Sequence, residues 1–230
     1  GLQVSRLIRV AYGPVALGEL PAGQLFEVPT QKVAELQVAE GMSRGKAAPT
    51  MRIIAGDWRG RSLIAPAGHI TRPTNARARE ALFSMLASRL GSFEGLEIAD
   101  LFAGSGALGL EALSRGAARC RFVERDPAAL AALKANIAAL GAGSRAELIP
   151  TAVEALPATG RPADLILLDP PYGSGAGATA LVRLRALGWM APGAWISLET
   201  AADEGAAIDG FVVDAERSHG KARLILMRAG

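Results

Sequence analysis

The sequence has one cysteine, Cys120, and two histidines in 230 residues. A single thiol excludes an internal disulfide and any thiolate metal cluster, and it suits a reducing, cytoplasmic setting. His69 and His219 stand near turns, with no second ligand at a useful spacing. Metal binding and histidine acid–base chemistry are therefore not expected. No run of about 18 uninterrupted apolar residues occurs, so no membrane-spanning helix is supported. The opening residues, GLQVSRLIRVAYGPVALG, are broken by Arg6 and Arg9 and lack the apolar stretch of a secretory signal. Apolar residues are plentiful: 50% of the chain is hydrophobic and 20% charged, enough for one sizeable α/β domain with an appendage.

Net charge is only +3, but it is unevenly placed. Between Met51 and Leu90 stand Arg52, Arg59, Arg61, Arg72, Arg77, Arg79 and Arg89, against Asp57 and Glu80. That segment carries +5 and the rest of the chain −2. Clustered arginine suits a polyanion, because each neutralised phosphate releases counterions. A solvated helix face is the alternative.

Residues 1–50 are punctuated by glycine and proline up to Pro29, continue as a short helical piece, and end in the linker-like GMSRGKAAPT. From Met51 the pattern is regular. MRIIAGDWRGRSLIAP alternates around a glycine turn and reads as a small hairpin. Pro73 and a Thr74 cap open a helix carrying Ala78, Ala81, Leu82, Met85 and Leu86 at helical spacing. Strands then alternate with helices: LEIADLF, CRFVERD, AELIPT, ADLILLDPP and AWISLET are the strands. Asp126 and Pro127 mark one helix start. A terminal strand pair turns at His219–Gly220. The pattern predicts an α/β fold, a doubly wound, mostly parallel Rossmann-like sheet with helices on both faces and a terminal antiparallel strand.

DLFAGSGALGLEAL spells G-x-G-x-x-G at Gly104, Gly106 and Gly109, between a strand and a helix. Such a turn brings backbone N–H groups and a helix N-terminus to a ligand. Asp100, four residues before Gly104, would repel a pyrophosphate and attract an ammonium. Glu124, 20 residues after Gly104, stands where a carboxylate accepts from ribose hydroxyls. Both NAD and S-adenosylmethionine have such a ribose; Asp100 leans toward the second. Asp169-Pro170-Pro171-Tyr172 ends the fourth strand at the same sheet edge. Its prolines remove backbone donors, leaving the Asp169 carboxylate and a carbonyl near Pro170 as acceptors. Acceptors aimed at an exocyclic amine localise its lone pair toward an electrophile, and Tyr172 offers a face for an extruded base.

Together, MRIIAGDWRGRSL, TRPTNARAREALFSML, FAGSGALGLEALSRGA and LLDPPY resemble the RsmD family, S-adenosylmethionine-dependent guanine-N2 methyltransferases of 16S ribosomal RNA, over about Met51 to Arg228. The resemblance implies that Asp100, Phe102, Gly104, Ser105, Gly106 and Gly109 surround the methionine end of the cofactor. Glu124 would take the ribose, Arg125 and Asp126 would lie beside it, and Ala152 and Val153 would flank the adenine. Asp169, Pro170, Pro171 and Tyr172 would hold the guanine. Arg52, Trp58, Arg59, Arg61, Arg72 and Arg77 would meet RNA, with Glu80 or the cofactor site as alternative partners for Arg77 and Arg79. The implied protein is a cytoplasmic monomer without metal, acting on rRNA either naked or in an assembling small-subunit particle. Separately, RLIRVAYGPVALGELPAGQLFEV resembles the C-terminal tail of RsuA/RluB-type pseudouridine synthases, and implies no activity here. The organisation expected is an extension and linker over 1–50 and a methyltransferase domain over 51–230. The rivals are a DNA adenine-N6 methyltransferase, a nicotinamide oxidoreductase and a non-catalytic RNA-binding module.

Overall fold

A computed structural model describes residues 11–12, 15–16, 51–66, 76–171, 173, 175–205, 207–220 and 222–230. Arg72, Tyr172, His69, Pro73 and Thr74 lie outside the described residues, as does the side chain of His219. The chain divides into two units, Gly1–Pro49 and Thr50–Gly230. In the first, Ala11–Tyr12 (β1) pairs antiparallel with Val15–Ala16 (β2).

The second unit opens with the expected hairpin, Met51–Arg52 (β3) against Ser62–Leu63 (β4). Helix α1 follows at Ala76–Leu90. The alternating core comprises β5 (Glu97–Leu101), α2 (Ala107–Ser114), β6 (Arg119–Glu124), α3 (Pro127–Leu140), β7 (Ala146–Pro150), a 3-10 turn at Val153–Ala155, β8 (Ala163–Leu168), α4 (Ala176–Ala186) and β9 (Met190–Ala201). Phe211–His219 (β10) and Ala222–Ala229 (β11) close it.

These seven strands form one sheet in the order β10-β11-β9-β8-β5-β6-β7. The ladders from β7 across to β9 are parallel, and β11 runs antiparallel between β9 and β10. This is the doubly wound architecture read from the sequence. The central strands are apolar because both faces are covered. On one face Ile98, Phe122 and Leu167 pack with Leu86 of α1, Leu110 of α2 and Leu133 of α3. On the other, Ala99, Val123 and Ile166 pack with Leu181 and Leu184 of α4.

Local signals set the boundaries. Asp126 caps α3 by accepting from Ala129 N at 2.8 Å, Pro127 takes the first turn, and Gly141 ends it at φ 66°. β9 begins earlier than AWISLET suggested, at Met190. Its register with β8 jumps from Ala163↔Met190 to Leu165↔Trp195, so Pro192 and Gly193 sit in a bulge where a missing donor breaks no ladder.

Candidate active site

Strands β6 and β7 extend the sheet to one side of β5, and β8 starts the other side. The crevice at such a reversal, beyond the strands' carboxyl ends, is where open α/β sheets take ligands. Here it is a cavity of about 690 Å³, within the size range of small-molecule sites. It brings together Phe102 and Gly104 after β5, Glu124 at the end of β6 with Arg125 and Asp126 after it, Ala152 and Val153 after β7, and Asp169, Pro170 and Pro171 after β8. Three separate sequence motifs thus meet in one space.

The glycine loop is held from several sides. Phe102 has φ 59°, a strained backbone for a residue with a side chain, and Gly104 and Gly106 follow at 55° and 81°. Glu124 fixes the loop: Oε2 accepts from Gly104 N at 2.8 Å, while Oε1 accepts from Arg125 N at 2.7 Å and Asp126 N at 2.8 Å. The glycines divide their work. A Cβ on Gly104 would meet nothing within 4 Å, so its backbone is open to the cavity. A Cβ on Gly106 would lie 2.4 Å from Leu133 Cδ1, and one on Gly109 2.4 Å from Phe122 Cε1 and 2.6 Å from Cys120 Sγ. The second and third glycines therefore permit close packing of α2 and α3 on the sheet.

Asp100 is 1% exposed, and its Oδ2 accepts from Gly109 N at 2.8 Å. Its carboxylate thereby anchors the first turn of α2. Burial pushes its pKa well above the usual carboxylate range; the Gly109 N–H opposes this, and Asp169 and Glu124 add to it. Around the cavity itself stand Glu124, Asp126, Glu154 and Asp169, with Arg125 as the one lining cation among the described residues. An acidic lining attracts a cationic ligand and repels a pyrophosphate.

The family model described as Conserved hypothetical protein 95 matches residues 51–228. The chain is also 41% identical over 155 residues to the Ribosomal RNA small subunit methyltransferase D of Escherichia coli (strain K12), covering 67% of this chain and 77% of that protein. The chain belongs to the RsmD family. The protein of the same name from Haemophilus influenzae is 39% identical over 158 residues, spanning 67% of this chain and 80% of the relative. Among solved structures, E. coli yhhF superposes with a TM-score of 0.70 at 36% identity, covering 78% of this chain and 98% of that one. Residues 1–50 of the RsmD-family chain lie outside the family match.

Of the arginines proposed for RNA, Arg52, Arg59 and Arg77 are exposed in this RsmD-family chain, and Arg61 donates to Ala139 O at 2.6 Å. Trp58 is half-buried, with the Arg145 guanidinium 4.9 Å from its ring centroid. Trp189 and Cys120 are both buried. Arg79, 1% exposed, donates to Arg52 O instead of meeting Glu80 or the cavity.

Sequence reasoning missed the groups that fasten the hairpin to the core. Glu111, wholly buried in α2, accepts from Ile54 N at 2.7 Å and Ala55 N at 3.0 Å and pairs with Arg115. Ser114 Oγ accepts from Trp58 N at 3.0 Å and donates to Ala55 O at 2.6 Å. Gly56 lies so close that a Cβ there would stand 1.7 Å from Ser114 O. An acid inside the apolar run GLEALS was the one signal available. Pro66, at the end of the hairpin segment, also lines the cavity and carried no motif.

Proposed function

We propose that this chain transfers a methyl group from S-adenosylmethionine to the exocyclic N2 amine of a guanine in 16S ribosomal RNA. Residues 51–230 would be the methyltransferase domain, working in the cytoplasm on naked rRNA or an assembling particle. The observation that carries the reading is the cavity, which joins a carboxylate-rich lining to Asp169-Pro170-Pro171 in a chain of this family.

The residues present fit the cofactor. Val123, Ala129 and Val153 give apolar walls for a purine, and Glu124 Oε2, which accepts from Gly104 N, has a lone pair left for a ribose hydroxyl. Gly104 presents open backbone, while Glu124, Asp126 and Asp169 of the lining supply negative potential for a sulfonium and an ammonium. When bound, the cofactor supplies an electrophilic methyl on a positively charged sulfur.

Asp169 and the carbonyl near Pro170 accept from the amine's N–H bonds, turning its lone pair toward that methyl. With the cofactor held there, the amine would take the methyl from the sulfur, S-adenosylhomocysteine would be the leaving group, and Asp169 or water would receive the surplus N2 proton. The prolines keep competing donors away from the amine. Tyr172 would stack on the base, and Arg52, Arg59, Arg61, Arg72 and Arg77 would grip phosphates. The work assigned to the protein is positioning and exclusion of water.

Two measurements test the reading. Calorimetry should show S-adenosylhomocysteine binding and no NADH binding; the reverse would favour an oxidoreductase. Labelled methyl should reach guanine of rRNA with the parent and not with Asp169→Ala. Label in adenine of duplex DNA alone would make the chain a DNA adenine-N6 methyltransferase instead.

A further inference from the structure

Asn136 lies in the middle of α3 and is 1% exposed. Its carboxamide is almost fully used. Oδ1 accepts from Ile64 N at 2.7 Å, and Nδ2 donates to Ile64 O at 3.0 Å and to Ser105 O at 2.9 Å. The pair of bonds to Ile64 copies a rung of a β-ladder, so α3 holds the hairpin's outgoing strand through a side chain. The third bond reaches the glycine loop at the residue between Gly104 and Gly106.

Two different working parts therefore share one buried amide. Ile64 stands one residue after β4 in the basic hairpin and two before Pro66, which lines the cavity. Ser105 follows Gly104, whose N–H is held from the cavity side by Glu124. The loop is gripped by Glu124 at the Gly104 N–H and by Asn136 at the Ser105 carbonyl, two peptides further on. A second, softer contact runs the same way, from Ser105 Oγ to Met51 Sδ at 3.9 Å.

We propose that Asn136 is a positioning residue that couples the state of the glycine loop to the placement of the RNA-facing hairpin. Ligand seated on the Gly104 backbone holds the Ser105 carbonyl, the carbonyl holds the Nδ2 group, and the same amide fixes Ile64. The hairpin is thus set for substrate when the loop is set for cofactor. This rests on the methyltransferase reading, because the loop's ligand and the hairpin's partner are taken from it.

The test is hydrogen–deuterium exchange of the full chain with and without saturating S-adenosylhomocysteine. In the parent, ligand should slow exchange at residues 102–109 and also at 53–64. Asn136→Asp has the same shape, cannot donate, and sets a carboxylate against two carbonyl oxygens. It should bind the ligand about tenfold more weakly, the cost of a lost buried bond or two. At saturation its glycine loop should still be protected while the hairpin no longer follows. If thermal melting shows that this variant does not fold, Asn136→Ala takes its place, removing the bonds without adding charge. Ligand that protects the loop and leaves the parent hairpin unchanged overturns the coupling and leaves the function standing. Hairpin protection that survives in the folded variant overturns it too. Failure of the parent to bind S-adenosylhomocysteine overturns both.

Discussion

Replacing Glu111 by glutamine should loosen the basic hairpin while leaving the sheet intact. Glu111 is wholly buried and receives Ile54 N, Ala55 N and the Arg115 guanidinium, all at 2.7–3.0 Å. Glutamine keeps one acceptor oxygen and turns an NH2 group toward donors it cannot satisfy. One or two charge-assisted bonds are lost, and a backbone N–H is left buried without a partner, together costing about 2–4 kcal/mol. Full removal, in Glu111→Ala, also leaves Arg115 without its counter-charge, and about 3–5 kcal/mol is expected. For a chain of this size each kcal/mol lowers Tm by roughly 2–4 °C, so the glutamine variant should melt about 4–16 °C below the parent. Thermal melting reads the size, and hydrogen exchange reads the place. Amides at 54–58 should exchange far faster while those of β5, β6 and β8 keep their order. Equal melting temperatures with unchanged hairpin protection would refute the argument, because a buried carboxylate that accepts from three donors cannot be an idle one.

Other consequences follow from the same geometry. Gly109→Ala drives a methyl into Phe122 and Cys120, and overpacking of this kind should cost about 1–3 kcal/mol in thermal melts. Gly104→Ala meets no atom, but its φ of 55° costs an alanine about 1–2 kcal/mol, and its larger effect should be on S-adenosylhomocysteine affinity measured by calorimetry. The folded-state pKa of Asp100 is raised by burial, so folding takes up a proton above the ordinary carboxylate range. The stability this group contributes is fully present below about pH 4 and is lost as pH rises through its folded pKa. Melting temperature against pH should therefore fall more steeply in the parent than in Asp100→Asn, and parallel curves would count against the buried acid. Burial also raises the Cys120 thiol pKa well above its ordinary range, so a thiol reagent should label it only as the chain unfolds.

The sheet was legible because its strands are short apolar runs separated by helices with recognisable caps; Asp126, Pro127 and Gly141 do in space what they spell in sequence. Residues of the candidate cavity were legible for a related reason. In an alternating fold, strand ends are adjacent by construction, so Gly104, Glu124 and Asp169 meet once β5, β6 and β8 are neighbours. The start of β9 was misjudged because Pro192 and Gly193 look like a turn, and only a register shift against β8 admits them to a strand. The hairpin's attachment was invisible for a different reason. Glu111 bonds a residue 57 positions away and Asn136 one 72 positions away, and no periodicity encodes contacts of that span. Nothing near Trp58 in sequence announces the Arg145 guanidinium that stands over its ring.

The most direct test of the account is mass spectrometry of 16S ribosomal RNA from cells lacking this protein. The account predicts the loss of a single N2-methylguanosine, restored by the parent chain and not by Asp169→Ala. An rRNA that keeps every N2-methylguanosine in the absence of the protein would contradict it.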